Sequence, residues 1–214
     1  HDTILQKIDR DPKLPIALLR DARNHLSTEA YKTYMAAATS LYEKDQDEYL
    51  RKAIEANYAK FQGNQMYHGN TELSLDKAVD VIRYFAASSQ VTNLYKVKLM
   101  KLMWYADALA YKRRGTAITG LVYQALPMGA VPIGHNSIID LKDVPCEEVD
   151  MGETNAYHFS LNGEQSFPAL SEEEKSILDS VIEKLGRMSK TEIINFMHKE
   201  KAYISTAPRD VIQF

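Results

Sequence analysis

The residue types that most often do chemistry are sparse in this chain. The six histidines stand at positions 1, 25, 68, 135, 158 and 198, and no two of them have the spacing of a metal-binding pair on one helix. The single cysteine, Cys146, excludes an internal disulfide and any zinc site that needs two thiolates from this chain. Cys146 and His158 could act as a nucleophile and its base, but Glu147 and Glu148 disfavour a thiolate and no third, orienting group is evident.

Sequence motifs for phosphate, nucleotide or acyl chemistry are also missing. The segment from Gly129 to Gly134 is not followed by the Gly-Lys-Ser/Thr of a P-loop, and neither GxGxxG nor GxSxG occurs. His198 and Glu200 have the spacing of part of a zinc deaminase signature, but their order relative to Cys146 is reversed and a second cysteine is missing. We therefore predict a protein that is not an enzyme, with no catalytic residue, no metal and no cofactor.

The charge balance favours a protein partner over nucleic acid or a membrane. The net charge is −3, from 26 basic and 29 acidic residues, whereas a basic excess is expected of a chain that coats nucleic acid or anionic lipid. No apolar run approaches the roughly 20 residues that span a bilayer. Because no signal peptide opens the chain either, we predict a cytoplasmic protein without a membrane partner.

The elements that would position these residues are predicted to be mainly helical. With only 9 glycines and 7 prolines, the composition favours helices over a sandwich or a barrel. The stretch from Gln62 to Leu73 is rich in Gly, Asn and Gln and has almost no apolar periodicity, which indicates a connection. We place a boundary near residue 70, with a helical linker or interaction segment at 1–70 and the main domain at 71–214.

The main domain is predicted to be a helical domain around a buried central helix. Residues 93–115 are apolar around most of a helix circumference and end in three basic residues and Gly115, which is typical of a buried helix with a glycine C-cap. Lys98 and Lys101 interrupt that apolar surface, and we expect their ammonium groups to reach solvent. Capping boxes at Ser171 and Ser189 predict two further helices near the end of the chain.

A small β-ribbon or sheet is expected beside these helices, so the fold class is mainly α (α+β). Residues 121–126 and 157–161 are β-prone, and the second of these stretches is followed by Asn162-Gly163, a strong turn signal. The loop between 115 and 136 is rich in Gly and Pro with apolar residues between them. Shaped loops of this kind often carry binding function because a rigid scaffold holds them in place.

Five short motifs occur in an order that resembles a known domain family. They are KLMKLMWYAD at 98–107, RG at 114–115 with ITG at 118–120 and Tyr123, MGAVP at 128–132, LSEEE at 170–174, and His198-x-Glu200 followed by Tyr203. In this register they resemble the Panacea domain, also described as the SocA-like or GepA-type, phage-associated antitoxin domain. The resemblance covers about residues 72–210. It departs from the family pattern at Ala130, where Pro is usual, at Met128, where Tyr is usual, and at Tyr203, where Trp is frequent.

The resemblance implies a bacterial antitoxin of a toxin–antitoxin system. Members bind a cognate toxin protein and block it, and one is described as an adaptor that delivers its toxin to a protease. Many carry an upstream helix-turn-helix, so His1 in place of Met leads us to expect a longer antitoxin-regulator that contacts DNA only through that upstream domain. The alternative is a dimerisation or sensing domain of a transcription regulator, in which the Tyr-rich helices from 27 to 62 form a homodimer contact.

The Gly/Pro-rich loop supplies the residues that we predict to contact the partner. Aromatic and Met side chains are favoured at interface centres. The predicted contact residues are Tyr123, Met128, Val131, Ile133 and His135. The same residues could instead form the core of the β-ribbon, and the sequence leaves both interpretations open.

Overall fold

The computed structural model describes residues 13–152, 155–163 and 165–214, so His1 and the prediction attached to it lie outside the described residues. The chain forms two compact units that divide between Lys52 and Ala53. The functional boundary near residue 70 stays a prediction. Within the described ranges, no helix is long and apolar enough to cross a membrane.

The first unit is built from helices. Helix α1 spans Leu14–Asp21, a short 3-10 turn spans Arg23–His25, and helix α2 spans Thr28–Tyr58, so that its last residues, from Ala53 on, belong to the second unit. Ser27 caps the start of α2, because its hydroxyl oxygen accepts a hydrogen bond from the backbone N–H of Ala30 at 3.2 Å. The Tyr-rich stretch from 27 to 62, in which we expected more than one helix, forms this one continuous helix as far as Tyr58.

The second unit combines helices with two short β-ribbons, which confirms the predicted fold class. After 3-10 turns at Ala59–Phe61 and Gln65–Tyr67, its elements in chain order are α3 (Leu75–Ala87), α4 (Lys96–Arg114), β1 (Tyr123–Leu126), β2 (Gly129–Pro132), α5 (His135–Ile139), β3 (Cys146–Asp150), β4 (Asn155–Phe159), α6 (Glu172–Leu185), α7 (Lys190–Met197) and α8 (Lys201–Ile204).

Helix α4 is the buried central helix that the sequence predicts. Its large side chains lie almost wholly inside the protein, with Trp104 1% exposed and Leu99 and Leu102 fully buried. It packs against α3, α6, α7, β2 and β4. It ends at Gly115, whose φ of 76° is left-handed and suits a glycine, directly after a last turn made of three basic residues.

The two ribbons are separate antiparallel pairs. Strand β1 pairs with β2 with Leu126 opposite Gly129, and β3 pairs with β4 with Glu147 opposite His158. The predicted strands at 121–126 and 157–161 therefore exist as β1 and β4, with shifted bounds, but each pairs with a neighbour in sequence that we did not identify as a strand.

Both predicted capping boxes are confirmed, at the starts of α6 and α7. In the first box, the Ser171 hydroxyl accepts from the backbone of Glu174, and the Glu174 carboxylate accepts from the backbone of Ser171. The same buried carboxylate accepts hydrogen bonds from Lys77 of α3 at 2.8 Å and Arg114 of α4 at 2.9 Å. Glu174 therefore ties three helices together as well as capping its own.

The expectation that Lys98 and Lys101 reach solvent is wrong. Lys98 is 2% exposed and Lys101 1% exposed. The Lys98 ammonium donates to the backbone carbonyls of Thr92 and Gly186, which satisfies it inside the protein. The helices and strands that pack around α4 cover both side chains almost completely.

Candidate functional site

A buried carboxylate on α4 organises the loop that leads into the β1–β2 ribbon. Asp107 is fully buried, and its Oδ1 accepts hydrogen bonds from the backbone N–H groups of Ile118 at 2.8 Å and Thr119 at 2.9 Å. Its Oδ2 accepts from the Thr119 hydroxyl at 2.5 Å and the Tyr123 hydroxyl at 2.7 Å. One side chain thus fixes the loop and the first residue of β1 to the central helix.

Burial raises the pKa of the Asp107 carboxyl above its usual range, and the hydrogen bonds from Thr119, Tyr123 and Ile118 oppose that shift. Burial and the neighbouring carboxyl together raise the pKa of Tyr123 well above its usual value. Both oxygens of the Asp107 carboxylate accept hydrogen bonds from groups of the chain itself. The arrangement suits a structural anchor and leaves no face for a substrate.

The ribbon ends in an exposed turn that two aromatic rings hold from below. The Tyr203 hydroxyl donates to the Leu126 carbonyl at 2.8 Å, and the His198 Nε2 lies 3.1 Å from the Pro127 carbonyl oxygen. The two rings stack with centroids 5.4 Å apart and an interplanar angle of 11°. Because both rings bind backbone carbonyls of the turn, its shape does not depend on the side chain at its tip.

The tip of this turn is Met128, whose side chain is 47% exposed. The next residue, Gly129, has a φ of 111°, and a Cβ there would lie 2.5 Å from Met197 Cγ and 2.9 Å from Lys101 Cε. Glycine suits this position because its φ is in a region that other residues rarely adopt, and the side chains of α4 and α7 come close to the ribbon here. The turn is therefore a rigid, pre-shaped projection that carries one exposed apolar side chain.

The last residues of the chain pack along the other edge of β1. The Ala125 N–H donates to the Asp210 carbonyl at 3.0 Å, and the Ile212 N–H donates to the Tyr123 carbonyl at 2.8 Å. The Phe214 ring then stacks on Trp104 of the central helix, with centroids 5.0 Å apart. This segment covers the free backbone groups of β1, which stiffens the ribbon further.

Three basic groups, Lys96, Lys101 and His135, lie near enough to one another for the two lysines to act on the charge of the histidine. Burial lowers the pKa of Lys101 to about 8, and none of the described residues gives its ammonium a hydrogen bond or an ion pair. Burial, and then the nearby charges of Lys96 and Lys101, lower the pKa of His135. Lys96 itself donates to the Asn136 amide oxygen at 2.5 Å. Of the three groups, Lys101 is the one beside the turn, because its Cε would lie 2.9 Å from a Cβ at Gly129, and its side chain is buried.

The five predicted contact residues fall into two groups in the structure. Tyr123 is fully buried and Val131 is 8% exposed, so these two belong to the core of the ribbon, the alternative that the sequence left open. Met128 is exposed, and Ile133 and His135 are half-buried. Two of the five residues, Tyr123 and Val131, therefore pack inside the protein, whereas Met128, Ile133 and His135 keep exposed surface that a partner could contact.

The register of the β3–β4 ribbon places Cys146 and His158, the nucleophile and base considered above, on opposite faces. Glu147 lies opposite His158, so Cys146, one residue earlier on the strand, points to the other face of the ribbon. Burial, followed by the charge of Asp140, raises the pKa of Cys146 and disfavours its thiolate. Within the part of the chain that the structure describes, no three His, Cys, Asp or Glu side chains lie together as a metal site would require.

Sequence reasoning missed the anchoring roles of Asp107, His198 and Tyr203. All three lie in the motifs that carry the family resemblance. For Asp107, the sequence also indicates the anchoring role. A lone Asp on an otherwise apolar helix face must find donors when it is buried, and the Thr and Tyr of the ITGLVY stretch are such donors.

Comparison with known families agrees with the resemblance read from the motifs. Residues 99–203 match the family model of the antitoxin SocA-like Panacea domain, which confirms the sequence-based assignment for this part of the chain. The matched stretch runs from the central helix to Tyr203 and so contains the whole ribbon and both rings beneath its turn. The chain matches no curated protein and no solved structure.

Proposed function

We propose that this chain, whose residues 99–203 are a SocA-like Panacea antitoxin domain, neutralises a cognate toxin protein by binding it directly. The single observation that carries the proposal is the family match. Inhibition would follow from occlusion of the toxin through a protein interface, with no bond made or broken. The domain that performs it would comprise residues 71–214, acting in the cytoplasm, with residues 1–70 as a linker or interaction segment.

The β1–β2 turn is the surface that we propose meets the toxin. A rigid projection loses little conformational freedom when it binds, which favours affinity. Met128 at its tip is flexible and polarisable, so it adapts to an apolar pocket on a partner. Ile133 and His135 follow the other end of β2, so they would extend the contact along the ribbon away from the turn, whereas Tyr123 and Val131 would support the surface from inside.

A homodimer is the second candidate, and one observation favours it. Helix α2 exposes large apolar side chains at positions separated by about two turns, with Tyr34 54% exposed, Leu41 50% and Tyr49 69%. Such a stripe suits contact with a second copy, as in the dimerisation domain of a regulator. Light scattering at high concentration tests it, and a strict monomer would remove this candidate.

Delivery of the toxin to a protease and control of transcription through an upstream DNA-binding domain are compatible extensions of the same binding activity. An adaptor would shorten the lifetime of the toxin in cells, whereas simple occlusion would preserve the complex. Pulse-chase measurement of toxin levels with and without this chain separates the two mechanisms.

Co-expression with the neighbouring gene tests the proposal. The neighbouring product should arrest growth when expressed alone, growth should recover when this chain is co-expressed, and the two proteins should co-purify. The proposal fails if the neighbouring gene is harmless alone, or if its toxicity persists in the presence of this chain.

A further inference from the structure

A cavity in the second unit lies where three parts of the fold meet, and none of the residues proposed to contact the toxin lines it. Its volume is about 670 Å³. Its walls come from the loop before α4 with the first turn of that helix, from the β3–β4 ribbon, and from the turn between α6 and α7. A concavity of this size is within the range that small-molecule ligands occupy.

Backbone hydrogen bonds join these three walls to one another. The Phe159 N–H of β4 donates to the Leu94 carbonyl at 2.9 Å, and the Thr92 N–H donates to the Gly186 carbonyl at 3.0 Å. Gly186 directly follows α6, so the second bond ties the α6–α7 turn to the loop before α4. The cavity is therefore present before a ligand arrives, and binding does not have to order its walls.

Apolar side chains contribute to all three walls of the cavity. Val97, Tyr157 and Met188 are half-buried, and Met151 is 59% exposed. Partly exposed apolar side chains around a concavity gain free energy when an apolar group covers them. The unbranched, polarisable Met side chains can adjust to the outline of such a group. The lining thus suits a ligand with an apolar body.

The charged residues that line the cavity are all lysines. They are Lys96, Lys98 and Lys190, and none of the described lining residues is Asp or Glu. Lys190 is exposed, and none of the described residues gives its ammonium a hydrogen bond or an ion pair. Lys96 donates one of its three N–H groups to the Asn136 amide oxygen and lies 4.8 Å from the centroid of the Tyr157 ring. The ammonium groups of Lys190 and Lys96 therefore have donors left for an anion.

Lys98 adds a buried positive charge beside the cavity. Its ammonium donates to two neutral backbone carbonyls, at 2.5 and 2.6 Å, and none of the acidic residues that the structure describes forms an ion pair with it. Burial lowers the pKa of Lys98, and the charge of Glu192 opposes that shift only in part. The Glu192 carboxylate itself accepts from the backbone of Ser189 in its capping box. A carboxylate in the cavity would supply the counter-charge that Lys98 lacks, because opposite charges attract more strongly where water is excluded.

We propose that this cavity binds a small organic anion that joins a carboxylate to an apolar body, such as a medium-chain carboxylic acid. The carboxylate accepts hydrogen bonds from the ammonium groups of Lys190 and Lys96 and lies near the buried charge of Lys98. The apolar body covers Met151 and Met188. A cation would meet three like charges, and an inorganic anion would leave the apolar walls uncovered, so neither fits the whole lining.

Titration of the full chain with octanoate, followed by NMR of methyl-labelled methionine, tests the proposal. We expect saturable shifts of the Met151 and Met188 methyl signals with a Kd of about 1 mM or below, a usual affinity for a ligand of this size. The methyl signal of Met128, which is exposed but outside the lining, is the internal control and should not shift. Octan-1-ol, which has the same apolar body without the charge, should bind roughly fivefold more weakly, and octylammonium more weakly still.

Two substitutions at exposed lysines locate the site of the carboxylate. Lys190→Gln removes a charge from the lining and should weaken octanoate binding roughly fivefold, with octan-1-ol binding unchanged. Lys199→Gln removes an exposed charge outside the lining, so it is the matched control and should bind both ligands like the wild type. The proposal is overturned if octanoate causes no saturable shift at Met151 and Met188, if Met128 shifts equally, if octan-1-ol or octylammonium binds as tightly, or if Lys190→Gln binds octanoate like the wild type.

Discussion

The Tyr123 hydroxyl donates a hydrogen bond of 2.7 Å to the buried Asp107 carboxylate, and this contact joins the first residue of β1 to the middle of the central helix. The ribbon, its turn and the loop before it are therefore positioned by α4. A substitution at Asp107 should therefore change the position of the exposed Met128, although Asp107 contacts the start of the ribbon and Met128 lies at its turn.

Two substitutions at Asp107 distinguish the contribution of its hydrogen bonds to stability from the contribution of its negative charge. Asp107→Ala leaves the backbone N–H groups of Ile118 and Thr119 buried without acceptors and should destabilise the fold by about 4 kcal/mol. Asp107→Asn keeps an oxygen for those donors, and its amide can donate to the two hydroxyls, so we expect a loss of about 1–2 kcal/mol. Urea unfolding measures both, and equal losses would contradict the anchoring role.

Two glycines with similar backbone angles should respond differently to alanine. Gly120 has a φ of 70°, and a Cβ there would overlap the backbone carbonyl of Glu72 and lie 2.6 Å from that of Thr71. Gly115 has a φ of 76° and open space around it. We expect Gly115→Ala to cost about 1 kcal/mol from conformation alone, and Gly120→Ala to cost at least about 3 kcal/mol. Thermal unfolding of the two variants tests the difference; similar shifts in Tm would contradict it.

The buried ammonium of Lys101 makes stability depend on pH. Burial lowers its pKa from 10.5 to about 8, so the unfolded chain holds this proton more tightly and the cost of burying the charge is fully present below pH 8. Stability should rise as the pH rises from about 8 towards 10.5. Lys101→Met should raise the free energy of unfolding by about 3 kcal/mol at pH 7, and this gain should shrink as the pH rises from about 8 and be nearly lost above 10.5.

Lys98→Met is the control for that prediction. The Lys98 ammonium satisfies the carbonyls of Thr92 and Gly186, so its removal should destabilise the fold by about 2 kcal/mol. Unfolding of both variants in urea at pH 7 and pH 10 gives the comparison. A stabilising Lys98→Met, or a gain from Lys101→Met that does not change with pH, would contradict the account.

Local signals in the sequence predicted the parts of the fold that depend on local chemistry. The capping boxes at Ser171 and Ser189 and the glycine end of α4 each depend on residues a few positions apart. The burial of α4 followed from its continuous apolar surface. These features need no knowledge of distant partners.

The sequence did not predict the features that depend on contacts between residues far apart along the chain. Lys98 is buried because the carbonyl of Gly186, far along the chain, accepts from it. The strands β2 and β3 were not identified because neither shows clear alternation, and their pairing depends on the turns that join them to β1 and β4. Whether Tyr123 or Met128 faces a partner depended on Asp107: the sequence offers Thr119 and Tyr123 as donors for this carboxylate, but only the fold brings them to it.

Binding of the purified toxin to two methionine variants tests the central claim most directly. Met128 and Met151 are both exposed, at 47% and 59%, but only Met128 lies on the β1–β2 turn. We expect Met128→Asp to weaken toxin binding roughly a hundredfold, as for a residue at the centre of an interface, with no change in Tm. Met151→Asp should bind like the wild type. If Met128→Asp binds normally while Met151→Asp does not, or if neither changes the Kd, the turn is not the surface that neutralises the toxin.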